Sequence, residues 1–186
     1  MFMETLTIEL PSQVKQTRFN LRRWDEVLAD PELARIEGRV ETDRYGRIVM
    51  IPLRAPSHGS YQSIIGSLLL RLMPQGEIII ACPISTADGV RAADVAWASQ
   101  EQMRQLGNRS CFSVAPEICV EILSPDNTGT EMAEKAALYF DARAKEVWLC
   151  NSAGGMKFMI SGKPRPLKNS RLCLKFPRKI DRPNWS

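Results

Sequence analysis

Apolar residues recur along the chain with two different periods, one typical of helices and one typical of strands. From Tyr61 to Met73 they return every three or four positions, which predicts a helix that starts near Ser57 and stops before Pro74. The segments GEIIIACPI, VRAADVAWAS and PEICVEILS follow this helix and are continuous or alternating apolar runs. We expect a strand in each of the three.

Two hairpins flank this central block. RVETDRYGRIVMI has the pattern of two short strands that turn at Asp43–Gly46, and EVWLCN with MKFMI has the same pattern around Ser152–Gly155. Both segments are therefore expected to form pairs of neighbouring strands.

Further helices carry their own start signals. Residues 20–36 follow a helical period that is interrupted near Pro31. Residues 131–142 follow another, opened by a capping box at Thr128–Glu131, and Ser99–Gln102 resembles a second capping box that opens a short helix. Helices thus alternate with groups of strands along the chain.

This order of elements predicts an α/β or α+β domain, in which helices flank a mixed sheet. The 186 residues are enough for one such domain over residues 1–162, followed by a basic segment over residues 163–186. In that segment Leu172, Leu174 and Phe176 alternate with other residues, which predicts one further edge strand before the tail.

Charge is distributed unevenly between these two parts. The whole chain has a net charge of +4, but residues 163–186 hold eight Lys or Arg against Asp181 alone, a net of +7, which leaves −3 for the rest. A basic segment on a mildly acidic body is suited to follow a phosphate backbone. A solvated surface tail explains the same composition equally well.

The sequence indicates a cytoplasmic protein that does not associate with membranes. Glu4 and Glu9 stand where a signal peptide would need a basic start and an apolar run, and no apolar stretch approaches the ~20 residues that cross a bilayer. The five cysteines include no CxxC pair, and Cys82, Cys119 and Cys150 lie in strand-like runs. We expect buried free thiols, as in a reducing cytosol.

Several common chemistries are excluded by what the chain lacks. His58 is its only histidine, which rules out centres built from several histidines, and the position of His58 at the start of an apolar helix favours a capping or surface role. The chain has no Walker loop, no GxGxxG and no GxSxG elbow. Catalysis would therefore depend on carboxylates and lysine.

Three residues stand out against apolar surroundings. Glu121 lies in the strand PEICVEIL, Asp94 lies in the strand VRAADVAW, and Lys135 shares a helix face with Met132 and Tyr139. A buried carboxylate is costly without a partner or a metal. Two carboxylates on separate strands with an ammonium above them suit Mg²⁺ and a phosphate substrate. A buried Glu121–Lys135 ion pair, with Asp94 at a strand end, is an equal alternative.

Four blocks of sequence together resemble the Uma2 family of the PD-(D/E)XK nuclease superfamily. They are APSHGSYQSIIGSLL, GVRAADVAWAS, APEICVEILSPDNTGTEMAEKAALYF and AKEVWLCN, and the resemblance extends over roughly residues 39–160. It implies a restriction-endonuclease-like fold. The superfamily places an Asp on one strand and Glu-x-Lys on the next, but Leu123 stands here in the lysine position.

The resemblance also implies roles for individual residues. Asp94, Glu121 and the backbone carbonyl of Ile122 would hold the metal, and Lys135 would supply from the following helix the lysine that is absent from the strand. Glu41 matches an acidic family position and would be an auxiliary outer ligand, although an exposed hairpin glutamate is an equal alternative. The chain departs from the family in Ala93, where proline is usual, in Arg143, where glycine is usual, and in Asn151, where aspartate is frequent.

Three hypotheses for function follow. The first is an endonuclease that uses Mg²⁺, or Mn²⁺, to hydrolyse DNA and that works as a homodimer, the dimer by analogy with related nucleases. The second is a non-catalytic module on the nuclease fold that binds nucleic acid or protein. The third is a structural oligomer in which Glu121 only forms an ion pair.

Overall fold

Four α-helices and seven strands follow one another in the part of the chain that the computed structural model describes, residues 12–36, 38–52, 54–124 and 128–182. The helices are α1 (Gln13–Ala29), α2 (Pro56–Leu72), α3 (Gln100–Leu106) and α4 (Gly129–Asp141). The strands are β1 (Arg39–Thr42), β2 (Ile48–Ile51), β3 (Gly76–Thr86), β4 (Gly89–Ser99), β5 (Ile118–Ile122), β6 (Glu146–Cys150) and β7 (Met156–Ile160).

A five-stranded sheet with the order β3-β4-β5-β6-β7 forms the centre of the molecule, and β1 and β2 pair separately as a hairpin. All neighbours in the large sheet are antiparallel except β5 and β6, which are parallel. A parallel pair needs a crossover connection, and α4 supplies it. The sheet is therefore mixed and the predicted α/β class is confirmed.

Helices cover both faces of the sheet. On one face α2 packs Tyr61, Ile65 and Leu69 into an apolar cluster with Trp97 and Trp148. On the other face a second cluster contains small residues of β4 and, from α4, Ala136 and Tyr139. The predicted start of α2 near Ser57 and its end before Pro74 agree with the observed helix.

The helix α1 begins seven residues earlier than the predicted start at Asn20. Its first two turns present buried polar side chains, Gln16 and Asn20, to the body of the protein. The Nδ2 group of Asn20 donates to Ser85 Oγ and to the carbonyl of Thr86, both at 2.9 Å. An apolar period could not reveal these turns because hydrogen bonds hold them. The predicted interruption near Pro31 is confirmed.

Both predicted hairpin turns are present and are held by polar side chains. Asp43 Oδ1 accepts the N–H groups of Tyr45 and Arg47, each at 2.9 Å. In the second turn Asn151 Oδ1 accepts the N–H groups of Ala153 and Gly155, at 3.0 and 2.8 Å. Each side chain thus replaces backbone partners that a tight turn leaves unpaired.

The edge strand that was predicted around Leu172, Leu174 and Phe176 is wrong. Residues 161–182 contain turns and isolated bridges but no strand, and Leu172 and Leu174 are both exposed, at 38% and 73%. The segment buries Cys173, Phe176 and Ile180 in the cluster beneath α2. A spacing of three and four residues, rather than two, therefore selects the side chains that enter the core.

The predicted free thiols are confirmed, since all five cysteines are unpaired and buried. Within the described residues no helix is long and apolar enough to cross a membrane. Glu4 and Glu9, on which the signal-peptide argument was based, lie outside the described residues, as do positions 183–186 of the basic segment.

Candidate active site

The strands β4 and β5 separate at the point where each carries a carboxylate. Their ladder runs only over residues 95–97 and 118–120, so the next pair in register would be Asp94 and Glu121. Instead the side chain of Asp94 enters the gap, and its Oδ2 accepts the backbone N–H of Ile122 at 2.8 Å. On the other side of β4, Ala81 lies opposite Asp94 and has a φ of 50°, outside the strand region. The sheet is thus distorted around Asp94.

Asp94 is only 1% exposed and is surrounded by donors. Its Oδ1 accepts a hydrogen bond from Arg39 Nη1 at 2.8 Å, and its Oδ2 lies 3.1 Å from His58 Nε2. Burial acts to raise the pKa of Asp94, but the bond to His58, the charge of Arg39 and the N–H of Ile122 outweigh it and hold the pKa at about 2. The carboxylate is therefore ionised at any physiological pH.

Glu121 is 4% exposed and has fewer compensating partners. Its Oε2 accepts from Lys135 Nζ at 3.0 Å and its Oε1 from the hydroxyl of Tyr139 at 2.7 Å. Burial dominates here and raises the pKa of Glu121 to about 7, against the charge of Lys135. The two carboxylates of the site thus differ widely in acidity.

Lys135 reaches the site from α4, whose start is fixed by the predicted capping box. Thr128 and Glu131 form both reciprocal bonds of that box. The Nζ of Lys135 also donates to the carbonyl of Ala92 at 3.3 Å and lies 3.6 Å from Glu41 Oε1. Burial acts to lower the pKa of Lys135, but the charges of Glu121 and Glu41 outweigh it and raise the pKa. Lys135 is a cation held over the carboxylates.

The alternative of an exposed hairpin glutamate at Glu41 is wrong. Glu41 is 3% exposed, and its Oε1 accepts the backbone N–H of Ala92 at 3.1 Å. Arg91 Nη1 lies 3.2 Å from its other oxygen, Oε2, and Arg39 Nη2 lies 3.5 Å from Oε1. Glu41 thus lies beside Lys135, and the backbone group that it binds, the N–H of Ala92, is two residues before Asp94 on β4.

The expectation of a capping or surface role for His58 is also wrong. His58 is 7% exposed, and its ring contacts Asp94. Gln62, one turn later on α2, donates from Nε2 to the carbonyl of Asp94 at 3.0 Å. The spacing of four residues places both side chains on one helix face, which is the signal that could have found them.

Sequence reasoning also missed Arg39 and the hydroxyl of Tyr139. Arg39 lies two residues before Glu41 on β1, so both side chains leave the same face of that strand. Tyr139 lies four residues after Lys135 on α4 and was assigned only a packing role. Both residues carry no pattern of their own, because their importance depends on which strands the fold brings together.

Two clefts open onto this group of residues. One, of about 670 Å³, is lined by Glu41 and Lys135, and the other, of about 430 Å³, by His58 and Asp94. Arg39 lines both clefts. The buried carboxylates can therefore be approached from two sides, with Arg39 between them.

Comparison with protein families matches residues 24–159, most of the chain, to Uma2, which is described as "Putative restriction endonuclease". The chain belongs to the Uma2 family. Among solved structures it is similar to a crystal structure titled "a putative nuclease belonging to DUF820" from Anabaena variabilis, with 19% sequence identity and a TM-score of 0.61. The match covers 75% of this chain and 79% of that one. No curated protein matches the chain.

Membership of Uma2 confirms the resemblance drawn from the sequence and supports a nuclease-like function. The structural similarity shows that the chain has the restriction-endonuclease-like fold. In this Uma2 chain Glu121 lies on β5, next to the strand that carries Asp94, and Lys135, which contacts Glu121, lies on α4.

The oxygen donors at the site fit a hard divalent cation. Mg²⁺ is commonly bound by one or two carboxylates and retains several waters. Asp94 and Glu121 supply two carboxylates, and the main chain of Ile122 lies directly beside Asp94. Among the described residues, no three or more His, Cys, Asp or Glu side chains are grouped so that they could hold a metal together.

Proposed function

We propose that this Uma2 protein is an endonuclease that requires Mg²⁺ or Mn²⁺ and hydrolyses phosphodiester bonds of DNA. The observation that supports it best is the position of Lys135. Its Nζ lies 3.0 Å from Glu121, on the strand beside Asp94, and it borders an open cleft. A lysine so placed above two carboxylates suits hydrolysis of a phosphate ester better than a purely structural ion pair.

In the proposed reaction Asp94, Glu121 and the carbonyl of Ile122 would hold the cation. A bound Mg²⁺ ion would supply Lewis-acid chemistry, polarising the phosphate and lowering the pKa of a coordinated water. Lys135 Nζ orients the attacking water and stabilises charge on the phosphate oxygens. The water oxygen forms a bond to phosphorus, one ester P–O bond breaks, and the proton of the water ends on the departing oxygen.

Other side chains position this group. Tyr139 donates to Glu121 Oε1, which leaves Oε2 directed at Lys135. His58 and Gln62 attach the start of α2 to Asp94. Glu41 is proposed as an auxiliary outer ligand, because its Oε1 lies 3.6 Å from Lys135 Nζ.

The basic segment supports a nucleic-acid substrate, because part of it lies at the same end of the sheet as the site. β5 and β6 are parallel, so the turn after β6 lies at the end of the sheet where Glu121 lies. Lys179 bridges to Gly155 in that turn, and the guanidinium of Arg182 lies 5.1 Å from the ring of Tyr61 on α2. DNA that enters the site would meet these two cations.

The first experiment is nicking of supercoiled plasmid with Mg²⁺ or Mn²⁺, in which wild type is compared with Asp94→Asn and Lys135→Met. We expect metal-dependent nicking by wild type and a loss of at least about 100-fold in both variants, since each lacks a group used in the transition state. Lys145→Met is the matched control, because Lys145 is an exposed lysine at the opposite end of β6.

Equal nicking by all four proteins would contradict the proposal and identify a contaminating nuclease. Circular dichroism of each variant establishes matched folding. A homodimer is part of the proposal, since two sites are needed to cut both strands, and sedimentation at several protein concentrations tests it.

A binding module without catalysis is the second candidate. It is favoured by one observation, namely that protein donors already satisfy both carboxylates, with Arg39 on Asp94 and Lys135 on Glu121. This candidate would bind DNA and show no metal-dependent cleavage. Filter binding of labelled DNA alongside the nicking assay separates the two.

A further inference from the structure

We infer that Arg39 is a resident counter-ion of the candidate metal site, and that a divalent cation enters only when Arg39 leaves Asp94. This inference rests on the proposed function. It concerns how the divalent cation enters the site, and it assigns to Arg39 a positioning role in addition to the roles proposed for the carboxylates and Lys135.

The contacts of Arg39 place it among all three acidic groups. Its Nη1 lies 2.8 Å from Asp94 Oδ1 and its Nη2 lies 3.5 Å from Glu41 Oε1. The charge of Glu121 also acts on Arg39 and contributes to raising its pKa, against the opposing effect of burial. The side chain is only 19% exposed. Its guanidinium thus contacts Asp94 and Glu41 and lies within electrostatic reach of Glu121.

The two oxygens of Asp94 are used differently. Oδ2 accepts the N–H of Ile122 and lies against His58, so it is committed to holding the strand and the helix together. Oδ1, by contrast, contacts Arg39. A cation bound by Asp94 would therefore compete with Arg39 for Oδ1.

Charge balance makes the competition direct. Asp94, Glu121 and Glu41 face two inner cations, Arg39 and Lys135. Arg91 contacts the other oxygen of Glu41 and is itself paired with Asp88, so cations already offset most of the negative charge. A divalent ion added beside the two inner cations would meet like-charge repulsion within a few ångströms, where screening by water is weak. Departure of Arg39 removes one of those charges and frees Oδ1 in the same step.

The structure offers Arg39 a destination. It lines the cleft of about 670 Å³ that Lys135 also borders, and its Nε has no hydrogen-bond partner among the described residues. An arginine favours bidentate bonds to phosphate oxygens. A phosphodiester in this cleft would draw Arg39 away from Asp94, so that metal and phosphate are expected to load together.

The test is a titration with Mn²⁺ alone, in which the electron paramagnetic resonance signal of free Mn²⁺ gives the dissociation constant. We expect Arg39→Met to bind Mn²⁺ at least about ten-fold more tightly than wild type, because one repelling charge is gone. Arg39→Gln, which retains a donor for Asp94, is the second variant in case Met impairs folding. It is expected to shift the dissociation constant in the same direction.

Arg91→Met is the matched control. The variant removes the same charge as Arg39→Met. Arg91 lies 3.2 Å from Glu41 Oε2 and pairs with Asp88, and it forms no ion pair with Asp94 among the described residues. Tightening in this variant should stay below about three-fold. If Mn²⁺ binding became equally tighter in the Arg39 and Arg91 variants, the inference that the metal displaces Arg39 would be overturned, because general electrostatics would then explain the effect.

The outcomes separate the inference from the proposed function. If wild type binds Mn²⁺, Asp94→Asn does not, and neither Arg39 variant binds more tightly, the inference fails while the metal site stands. If none of the proteins binds Mn²⁺, both fail. Tighter binding in the Arg39 variants, lost again when Asp94→Asn is added, supports the inference.

Discussion

Asp94 and Glu121 are neighbouring carboxylates whose pKa values are shifted in opposite directions by their surroundings. Asp94 receives an arginine, a backbone N–H and the His58 ring, and its pKa falls to about 2. Glu121 is also buried, but among the described residues it receives hydrogen bonds only from Lys135 and Tyr139, and burial raises its pKa to about 7. In the metal-free protein, therefore, Asp94 carries a fixed negative charge, whereas Glu121 gains or loses its proton near neutral pH.

This difference gives a test of Glu121 in the presence of EDTA. Its folded pKa of about 7 exceeds the ordinary value of 4.5, so the folded state binds the proton more strongly. Its contribution to stability is therefore greatest at low pH and is lost as pH rises from 4.5 to 7. Relative to Glu121→Gln, wild type should lose up to about 3 kcal/mol across that window and nothing further above it.

Urea unfolding of both proteins at intervals between pH 4.5 and 8 measures the difference. Glu121→Gln keeps a neutral side chain of the same shape, so it should fold at every pH in the series. A variant that is unfolded throughout would instead support the structural hypothesis, in which the ion pair with Lys135 holds the domain together.

At the residue scale, the sequence revealed those site residues that break an apolar pattern. Asp94 and Glu121 interrupt buried strands, and Lys135 interrupts the apolar face of α4. Arg39 and His58 interrupt nothing, since a charged residue in a short hairpin and a polar residue at a helix start are both ordinary. Their contacts with Asp94 arise only from tertiary packing.

At the scale of elements, Glu146 fixes the C-terminal segment to the sheet. It starts β6 with 1% exposure, and its Oε1 accepts the N–H groups of Arg171 and Leu172, at 2.7 and 2.9 Å. Its Oε2 accepts the indole N–H of Trp148 at 2.7 Å. The C-terminal segment turns around this carboxylate at Arg171 and Leu172, and for that reason it forms no strand there.

We therefore expect Glu146→Gln to destabilise the protein although it changes only one atom. The amide can offer one oxygen, but its NH₂ group must then face either the indole of Trp148 or two backbone donors. A buried donor left unsatisfied costs about 1–3 kcal/mol. Urea unfolding measures the loss, and hydrogen exchange should show faster exchange at Arg171 and Leu172.

Glu77→Gln makes the same chemical change at an exposed position of β3 and is the control. It should leave both stability and the exchange of the C-terminal segment unchanged. If Glu146→Gln were as stable as wild type, Glu146 would not be the residue that fixes the C-terminal segment to the sheet.

Element boundaries were predictable where apolar packing or a cap determines them. The helix α2 and the capping box of α4 agree with expectation, whereas the start of α1 does not, since Gln16 and Asn20 hold it by hydrogen bonds. At the end of α4, Arg143 adopts a φ of 76°. A left-handed backbone favours glycine, the residue that the resemblance to Uma2 implies at this position. Arginine adopts the same conformation here, at a cost in backbone strain.

At the scale of the whole molecule, the positive charge of the C-terminal segment is divided between the two ends of the sheet. Lys179 and Arg182 lie near the turn after β6, at the end that holds Glu121. Lys163 and Arg165 follow the end of β7, which is antiparallel to β6 and therefore leads to the opposite end. Of these two pairs, the first is the one placed to contact DNA under the proposed function.

Removing that pair should weaken DNA binding in a salt-dependent way. For Lys179→Ala with Arg182→Ala, we expect the slope of log affinity against log salt to become shallower by about two, as expected when two phosphate contacts are lost. Fluorescence anisotropy with a labelled duplex in EDTA, at several NaCl concentrations, gives the slope.

The control is Lys163→Ala with Arg165→Ala, which removes the same charge from the same segment at the other end. Its salt slope should stay within error of wild type. Equal changes in the two double variants would mean that the segment acts through net charge alone and not through its position at the site.

The class of the fold could be predicted because helical and strand periods alternate clearly along the chain. The parallel pairing of β5 with β6 and the separation of β4 from β5 could not, because register depends on partners that are distant in sequence. The resemblance to Uma2 already grouped Asp94, Glu121 and Lys135, whereas the contact of Arg39 with Asp94 and that of Glu41 with Ala92 are visible only in three dimensions.

The path of the C-terminal segment has a consequence for the order in which a ribosome makes this protein. The site residues, from Arg39 to Tyr139, leave the ribosome first, but Phe176 and Ile180 fill the space beneath α2, which carries His58. Until those residues emerge, α2 packs on the sheet alone and the apolar cluster beneath it is incomplete. The growing chain therefore contains its candidate catalytic residues for some time before the packing beneath α2 is complete.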